Sequence, residues 1–162
     1  MGNPKKILKT FKSRNINFTS VTLHIGRGTF LPIRTNDANE HTMHSEKGFI
    51  SSITANKINE TKKRGGKVIA VGTTVLRLLE SAKDKEGYIN KFNGKTDIFI
   101  VPGYKIKSVD YLLTNFHLPK STLFMLVCAF SGTKRLKSAY KYAISNGYRF
   151  YSYGDAMLLS KS

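Results

Sequence analysis

Apolar residues along the chain fall into short groups whose spacing switches between helical and strand-like. In residues 5–14, Ile7, Leu8 and Phe11 share one face of a basic helix. Residues 17–23 alternate and carry Phe18, Thr19, Val21 and Thr22, the composition of a strand. Gly26-Arg27-Gly28 follows as a turn. Residues 35–46 are polar, hold two histidines, and read as a surface loop. Residues 52–63 suit a helix with a thin apolar face, Ile53 and Ile58.

The next unit is better defined. Residues 67–71 (KVIAV) predict a short buried strand, broken by Gly72-Thr73-Thr74, and a helix follows with Leu76, Leu79 and Ala82 on one face. Strand, tight Gly/Thr turn and helix place hydroxyls and free N–H groups at a helix N-terminus. That arrangement can hold an anion or simply cap the helix. Residues 97–101 predict another strand, ended by Pro102-Gly103, and residues 109–116 one more. Ser121 is placed to cap a wholly apolar helix ending at Gly132. Thr133 is placed to cap another, with Leu136, Ala139, Tyr140, Ala143 and Ile144 inward and Asn146-Gly147 as its stop. Residues 148–153 predict a closing strand before Gly154-Asp155. Strands and helices alternate through the second half, which argues α/β layering in a single domain.

Charge changes this picture most. The 162 residues include 27 Lys and Arg against 10 Asp and Glu, a net charge of +17. Such an excess on a folded chain points to a polyanion, of which nucleic acid is the commonest; a Lys-rich genome would raise the same count. Ten Phe, eight Tyr and 40% hydrophobic residues speak against disorder. The single Cys128 excludes a disulfide scaffold and fits a reducing cytoplasm. The longest apolar run, residues 123–130, is far below the ~20 residues that span a bilayer, and no secretory signal follows the N-terminal lysines.

Candidate chemistry collects at strand ends. His24 precedes the Gly-Arg-Gly turn; His117 lies between Asn115 and Pro119 ahead of the helix capped by Ser121; Tyr153-Gly154-Asp155 places a phenol and a carboxylate at a third strand end. Ligands of α/β proteins gather at such ends, although a lone histidine there is as often structural. His41, His44 and Glu46 lack the spacing of a metal set, so no metal is expected. No nucleophile elbow, Walker loop or dinucleotide fingerprint is present.

Six strings in fixed order carry a resemblance: VTLHIGRGTF (21–30), HTMHSE (41–46), VIAVGTT (68–74) with Arg77, Leu79, Glu80 and Ser81, TDIFIVPG (96–103), LTNFHLPKST (113–122) and RFYSYGDAM (149–157). Together they resemble the S-adenosylmethionine:tRNA ribosyltransferase-isomerase family of queuosine biosynthesis, from about Phe11 to the C-terminus. The resemblance implies the C-terminal part of that family's large domain, a mixed sheet with flanking helices, lacking the inserted β-barrel domain and the N-terminal part. It implies transfer and isomerisation of the ribosyl group of S-adenosylmethionine, as substrate, onto 7-aminomethyl-7-deazaguanine at the wobble position of tRNAs with a GUN anticodon. Epoxyqueuosine is the product, and adenine and methionine leave. On the positions that the resemblance selects, residue chemistry suggests His24, His117 and Asp155 for proton transfer. It suggests His44, Glu46, Thr73, Thr74, Arg77, Asn115, Ser121 and Tyr153 for substrate binding. A separately encoded N-terminal half is the expected partner. An inactive truncated remnant and a basic tRNA-binding module are the alternatives.

Overall fold

The computed structural model describes residues 4–24, 45–119 and 121–162. Among them the chain runs α1 (Pro4–Ser13), β1 (Thr22–His24), β2 (Glu46–Ile50), α2 (Ser52–Lys63), β3 (Ile69–Val71), α3 (Thr73–Ala82), β4 (Phe92–Thr96), β5 (Tyr111–Asn115), α4 (Thr122–Ser131), α5 (Thr133–Ser145) and β6 (Ala156–Ser160). The six strands form two sheets. Sheet A is antiparallel in the order β1-β2-β4; sheet B has the order β3-β5-β6, with β3 parallel and β6 antiparallel to the central β5. The result is a mixed α/β fold with five helices among the described residues.

α3 is the element that joins the sheets. Leu76, Leu79 and Ala82 are buried as their spacing requires, but Arg77, Leu78 and Glu80 are buried too, so the helix is enclosed almost all round. Leu78 faces Gly48 of β2, where an added Cβ would lie 2.5 Å from a Leu78 methyl carbon. The glycine thus sets how closely sheet A approaches the helix. On the other side α3 packs on β3 and β5, and one cluster of buried side chains, from Ile50 and Leu78 to Leu112, Val127 and Leu159, runs through both sheets. Glu80 fastens the connection ahead of β5: one carboxylate oxygen accepts from Ser108 N, Ser108 Oγ and Lys107 N at 2.6–2.9 Å.

Several expectations are corrected. Residues 97–101 form no strand; β4 lies just upstream, where FNGKT, poor in strand formers, is held by its pairing with β2 and the opposition of Gly94 to Gly48. Residues 148–153 form a turn and not a strand, and the ladder begins only at Ala156. Their alternation is overruled because Asp155 closes the segment back on Arg149. Regular pairing in residues 17–23 is confined to Thr22 and Leu23, continuing to His24. Glu46, placed by polarity at the end of a surface loop, opens β2 and is buried. Neither Thr73 nor Thr133 caps its helix, since Gly72 (φ 98°) and Gly132 (φ 85°) hold the N-cap positions. Ala139 and Ile144 are exposed, while Leu136, Tyr140 and Ala143 of α5 are buried.

The strand in residues 67–71 is shorter than its apolar run and is buried on one face only. Ala70 is inside, whereas Ile69 and Val71 are 53% and 63% exposed. Leu113 of β5 and Leu158 of β6, on the same face, are exposed as well, so among the described residues this face of sheet B has no layer above it. No helix among the described residues is long and apolar enough to cross a membrane.

Candidate functional site

The parallel pairing of β3 and β5 brings their C-terminal ends to the same edge of sheet B, and each strand leads towards a helix there. After β3, Gly72 N donates to Leu113 O of β5 at 2.9 Å, and α3 starts at Thr73 with no side-chain cap. Its first-turn N–H groups and the positive end of its dipole therefore point away from the sheet edge without a side-chain oxygen of the N-cap on them. Thr73 is buried and Thr74 half-buried. After β5, Ser121 opens α4 as its sequence position predicts: Oγ accepts from Phe124 N at 3.1 Å and donates to Leu118 O at 2.6 Å.

Because β6 runs antiparallel, its beginning lies beside the end of β5, with Asn115 opposite Ala156. Asn115 Nδ2 donates to the carbonyls of Gly154 and Asp155, both at 3.3 Å. Residues 149–155 form a closed turn. Arg149 N donates to Asp155 Oδ2 at 2.8 Å, Arg149 Nη2 lies 3.2 Å from Asp155 Oδ1, and Asp155 N donates back to Arg149 O at 2.8 Å. Tyr151 takes a left-handed φ of 70° within it. Gly154 is packed so closely that a Cβ would lie 2.4 Å from Arg149 O. The Arg149 backbone N–H, followed by its side chain, holds the Asp155 carboxyl below the usual carboxylate range.

His117 stands between β5 and α4. Its backbone N donates to Tyr140 Oη at 2.8 Å and its Nε2 pairs with Thr114 Oγ1 at 3.0 Å. Burial pushes its pKa down to about 4, so the imidazole is neutral at pH 7. Tyr140 is buried and its phenol is pushed up to about 12, again by burial. Phe116 and Phe150 pack on Tyr140 with centroids 5.4 and 5.7 Å away, and Tyr151 N donates to Phe116 O. An aromatic cluster thus ties the His117 segment to the Asp155 turn.

Thr73, Thr74, Asn115, His117, Ser121, Tyr153 and Asp155 therefore meet at one edge of sheet B. Tyr153, 82% exposed, sits at its outer rim. His24 lies elsewhere, exposed on sheet A opposite Lys47. His44 lies outside the described residues. Glu46 and Arg77 are brought together away from the edge: Arg77 Nη1 donates to Glu46 Oε2 at 2.8 Å and Nε to Ile98 O at 3.2 Å, both side chains almost wholly buried. Arg77 Nη2 is buried with no hydrogen-bond partner among the described residues. Burial lowers the guanidinium from its ordinary value, and Glu46, then Asp97, oppose that shift. Sequence reasoning missed Arg149, Tyr140 and Thr114. Only Arg149 left a signal, an arginine six residues before an aspartate across a Gly-containing turn.

Polar groups gathered where strand ends meet two helix N-termini are the arrangement of an α/β protein that binds a ligand at its sheet edge. The chain belongs to the family described as queuosine biosynthesis protein, whose model matches residues 4–159. It is 57% identical over 155 residues to the S-adenosylmethionine:tRNA ribosyltransferase-isomerase of Zymomonas mobilis, covering 96% of this chain and 45% of that protein. To the enzyme of the same name from Brucella anthropi it is 56% identical over 156 residues, with 96% and 43% covered. The crystal structure of S-adenosylmethionine tRNA ribosyltransferase from Thermotoga maritima superposes with a TM-score of 0.77 at 40% identity, over 96% of this chain and 49% of that one. The chain spans a little under half the length of these relatives.

Proposed function

We propose that this chain is one part of a ribosyltransferase-isomerase that moves the ribosyl group of S-adenosylmethionine onto 7-aminomethyl-7-deazaguanine at the wobble position of GUN-anticodon tRNAs in the cytoplasm, giving epoxyqueuosine. The observation that carries the reading is the sheet-B edge, where all seven gathered residues belong to the strings that resemble the family in order. The sulfonium of the donor acidifies the adjoining ribose carbon, so the reaction needs a base there and a proton for the departing adenine. His117 and Asp155 are both unprotonated at neutral pH and suited to accept a proton. An imidazole with a pKa of about 4 becomes a strong acid once protonated, which lets His117 pass that proton on to adenine. Asn115 holds the Asp155 turn in place, and Thr73, Thr74, Ser121 and Tyr153 offer hydroxyls and helix-end N–H groups to the substrate. Arg77 and Glu46 position α3 from behind, His24 on sheet A is the third candidate for proton transfer, and His44 is the remaining candidate for substrate contact.

The partner in this reading is a separate polypeptide carrying the rest of the enzyme. The 155 matched residues are 45% of the Zymomonas mobilis relative, leaving about 190 residues of it unmatched. The uncovered face of sheet B supports that occupant: Ile69, Val71, Leu113 and Leu158 are 36–63% exposed on adjacent strands, an apolar patch next to the site. The test is mass spectrometry of the wobble nucleoside after incubation with S-adenosylmethionine and tRNA bearing the aminomethyl-deazaguanine base. The chain is assayed alone and with the unmatched part of the Zymomonas mobilis relative supplied as a separate polypeptide. Epoxyqueuosine in the second tube is expected; its absence from both, with folded protein, overturns the reading. His117→Ala and Asp155→Asn are expected to abolish product while leaving tRNA binding within a few-fold, and wild-type rates in both would remove the roles assigned to them.

A further inference from the structure

Among the described residues sheet A has one face on α3 and the other exposed, and the exposed face has a definite chemical pattern. Glu46, Gly48 and Ile50 of β2 point inward, so Lys47 and Phe49 point out. The register aligns the outward residues in two cross-strand rows. One is His24, Lys47 and Lys95; the other is Thr22, Phe49 and Asn93. All six are exposed, and Phe49, a large aromatic, is 47% exposed.

Directly opposed side chains on antiparallel strands lie about 5 Å apart, and like charges at that separation destabilise the pair. Lys47 and Lys95 are nonetheless opposed. Among the described residues the outward positions of the three strands hold no carboxylate; the nearest in sequence is the exposed Asp97, beyond the end of β4. A cationic row kept without internal compensation is stabilised when a polyanion lies along it. An exposed aromatic in the neighbouring row, Phe49 two residues from Lys47 on β2, supplies what a phosphate-only surface does not need, a platform for an unpaired base. Thr22 and Asn93 beside it carry donors and acceptors for base edges. Beneath, the buried Glu46–Arg77 pair and the Gly48–Leu78 contact hold the sheet in place.

We propose that the outer face of sheet A is a binding surface for single-stranded RNA, with Phe49 stacking on an unpaired base and Lys47, Lys95 and His24 contacting the adjoining phosphates. The proposal rests on the tRNA reading only in choosing RNA as the polyanion.

The test is fluorescence anisotropy of the whole chain with an unmodified anticodon stem-loop bearing a GUN anticodon, over a range of salt concentrations. Phe49→Ala is expected to weaken binding roughly tenfold and Phe49→Tyr to restore it. The double variant Lys47→Ala, Lys95→Ala is expected to reduce the slope of log affinity against log salt by about 1.4, the share of two single-strand phosphates. Lys137→Ala with Lys141→Ala on α5 serves as a charge-matched control and is expected to change neither quantity by as much. A fully paired RNA duplex should compete poorly. All substituted side chains are exposed, and a thermal melt checks that each variant is folded.

The proposal is overturned if the sheet-A variants bind as wild type, if only the α5 variant loses binding, or if wild type binds no stem-loop. It is also overturned if polyglutamate competes as well as the stem-loop, which would make the face an acidic-protein surface. Stem-loop binding that depends on Phe49, in a chain giving no epoxyqueuosine with the remaining part supplied, supports this surface and removes only the catalytic reading.

Discussion

Two ion pairs in this chain have the same 2.8 Å separation and opposite surroundings, which makes one prediction sharp. Arg77–Glu46 is buried, at 1% and 0% side-chain exposure, whereas Arg64–Glu60 stands in water at 80% and 59%. Glu46→Gln keeps the shape and leaves the guanidinium without its counter-charge. Removing one partner of a buried pair costs about 3–5 kcal/mol. The amide can still accept from Arg77 Nη1, so about 3 kcal/mol is expected. At roughly 2–4 °C per kcal/mol for a chain of this size, Tm should fall by about 6–12 °C. Glu60→Gln should cost no more than about 0.5 kcal/mol, because an exposed pair gains little and is screened. Urea unfolding with linear extrapolation measures both. Raising the salt to 1 M should erase the Glu60 difference and leave the Glu46 difference nearly intact. Replacing the whole buried pair, Glu46→Leu with Arg77→Met, should recover most of the loss, because an apolar pair leaves no buried charge. A Glu46→Gln cost below about 1 kcal/mol, or equal to that of Glu60→Gln, would refute the view that burial sets the value of the pair.

His117 carries a pH prediction. Its folded pKa of about 4 lies below the unfolded value near 6.5, so the unfolded state binds the proton first as pH falls. Stability from this group is full above pH 6.5 and is lost down to about pH 4, by about 3 kcal/mol at most; His117→Gln should flatten that part of the stability–pH curve, and an unchanged slope would contradict the burial argument. Gly154→Ala places a Cβ against the carbonyl oxygens of Arg149 and Phe150, at 2.4 and 2.5 Å, and should cost about 1–3 kcal/mol while raising hydrogen exchange across residues 149–155. Val71→Glu or Leu158→Glu, on the uncovered face of sheet B, should alter the chain's own stability by no more than about 0.5 kcal/mol. The same variants should abolish association with the unmatched part of a relative in analytical ultracentrifugation. Unimpaired association would place that partner elsewhere.

How much was legible depended on the range over which each signal acts. Ser121 at the head of α4 and Asn146-Gly147 at the foot of α5 were readable because caps and stops are made between residues three or four apart. The apolar spacing of Leu76, Leu79 and Ala82 located α3 for the same reason. Candidate residues at strand ends were legible as types, and the family strings selected their positions. None of these signals could report which strand ends share an edge. That Asn115 meets Gly154 and Asp155, while His24 goes to a different sheet, follows from the parallel pairing of β3 with β5 and the antiparallel return of β6.

Tertiary structure also decided cases in which local preference pointed the wrong way. FNGKT is a poor strand by composition and becomes β4 because β2 offers it a ladder and two opposed glycines. The alternating residues 148–153 make a turn because the Asp155 carboxylate captures Arg149. Glu46 and Arg77 look like solvent-facing polar groups in one dimension and are partners beneath a sheet in three. The lysines that raise the net charge to +17 gave no hint of a face until register set Lys47 opposite Lys95 beside Phe49. Sequence by itself determined the helices, the Ser121 cap of α4, the Asn146-Gly147 stop of α5, the charge and the kinship, all of which depend on nearest neighbours or on motif order. Which polar groups converge and which apolar face stays uncovered was decided by pairing between strand residues up to 50 positions apart, as between Glu46 and Thr96, that no local pattern encodes.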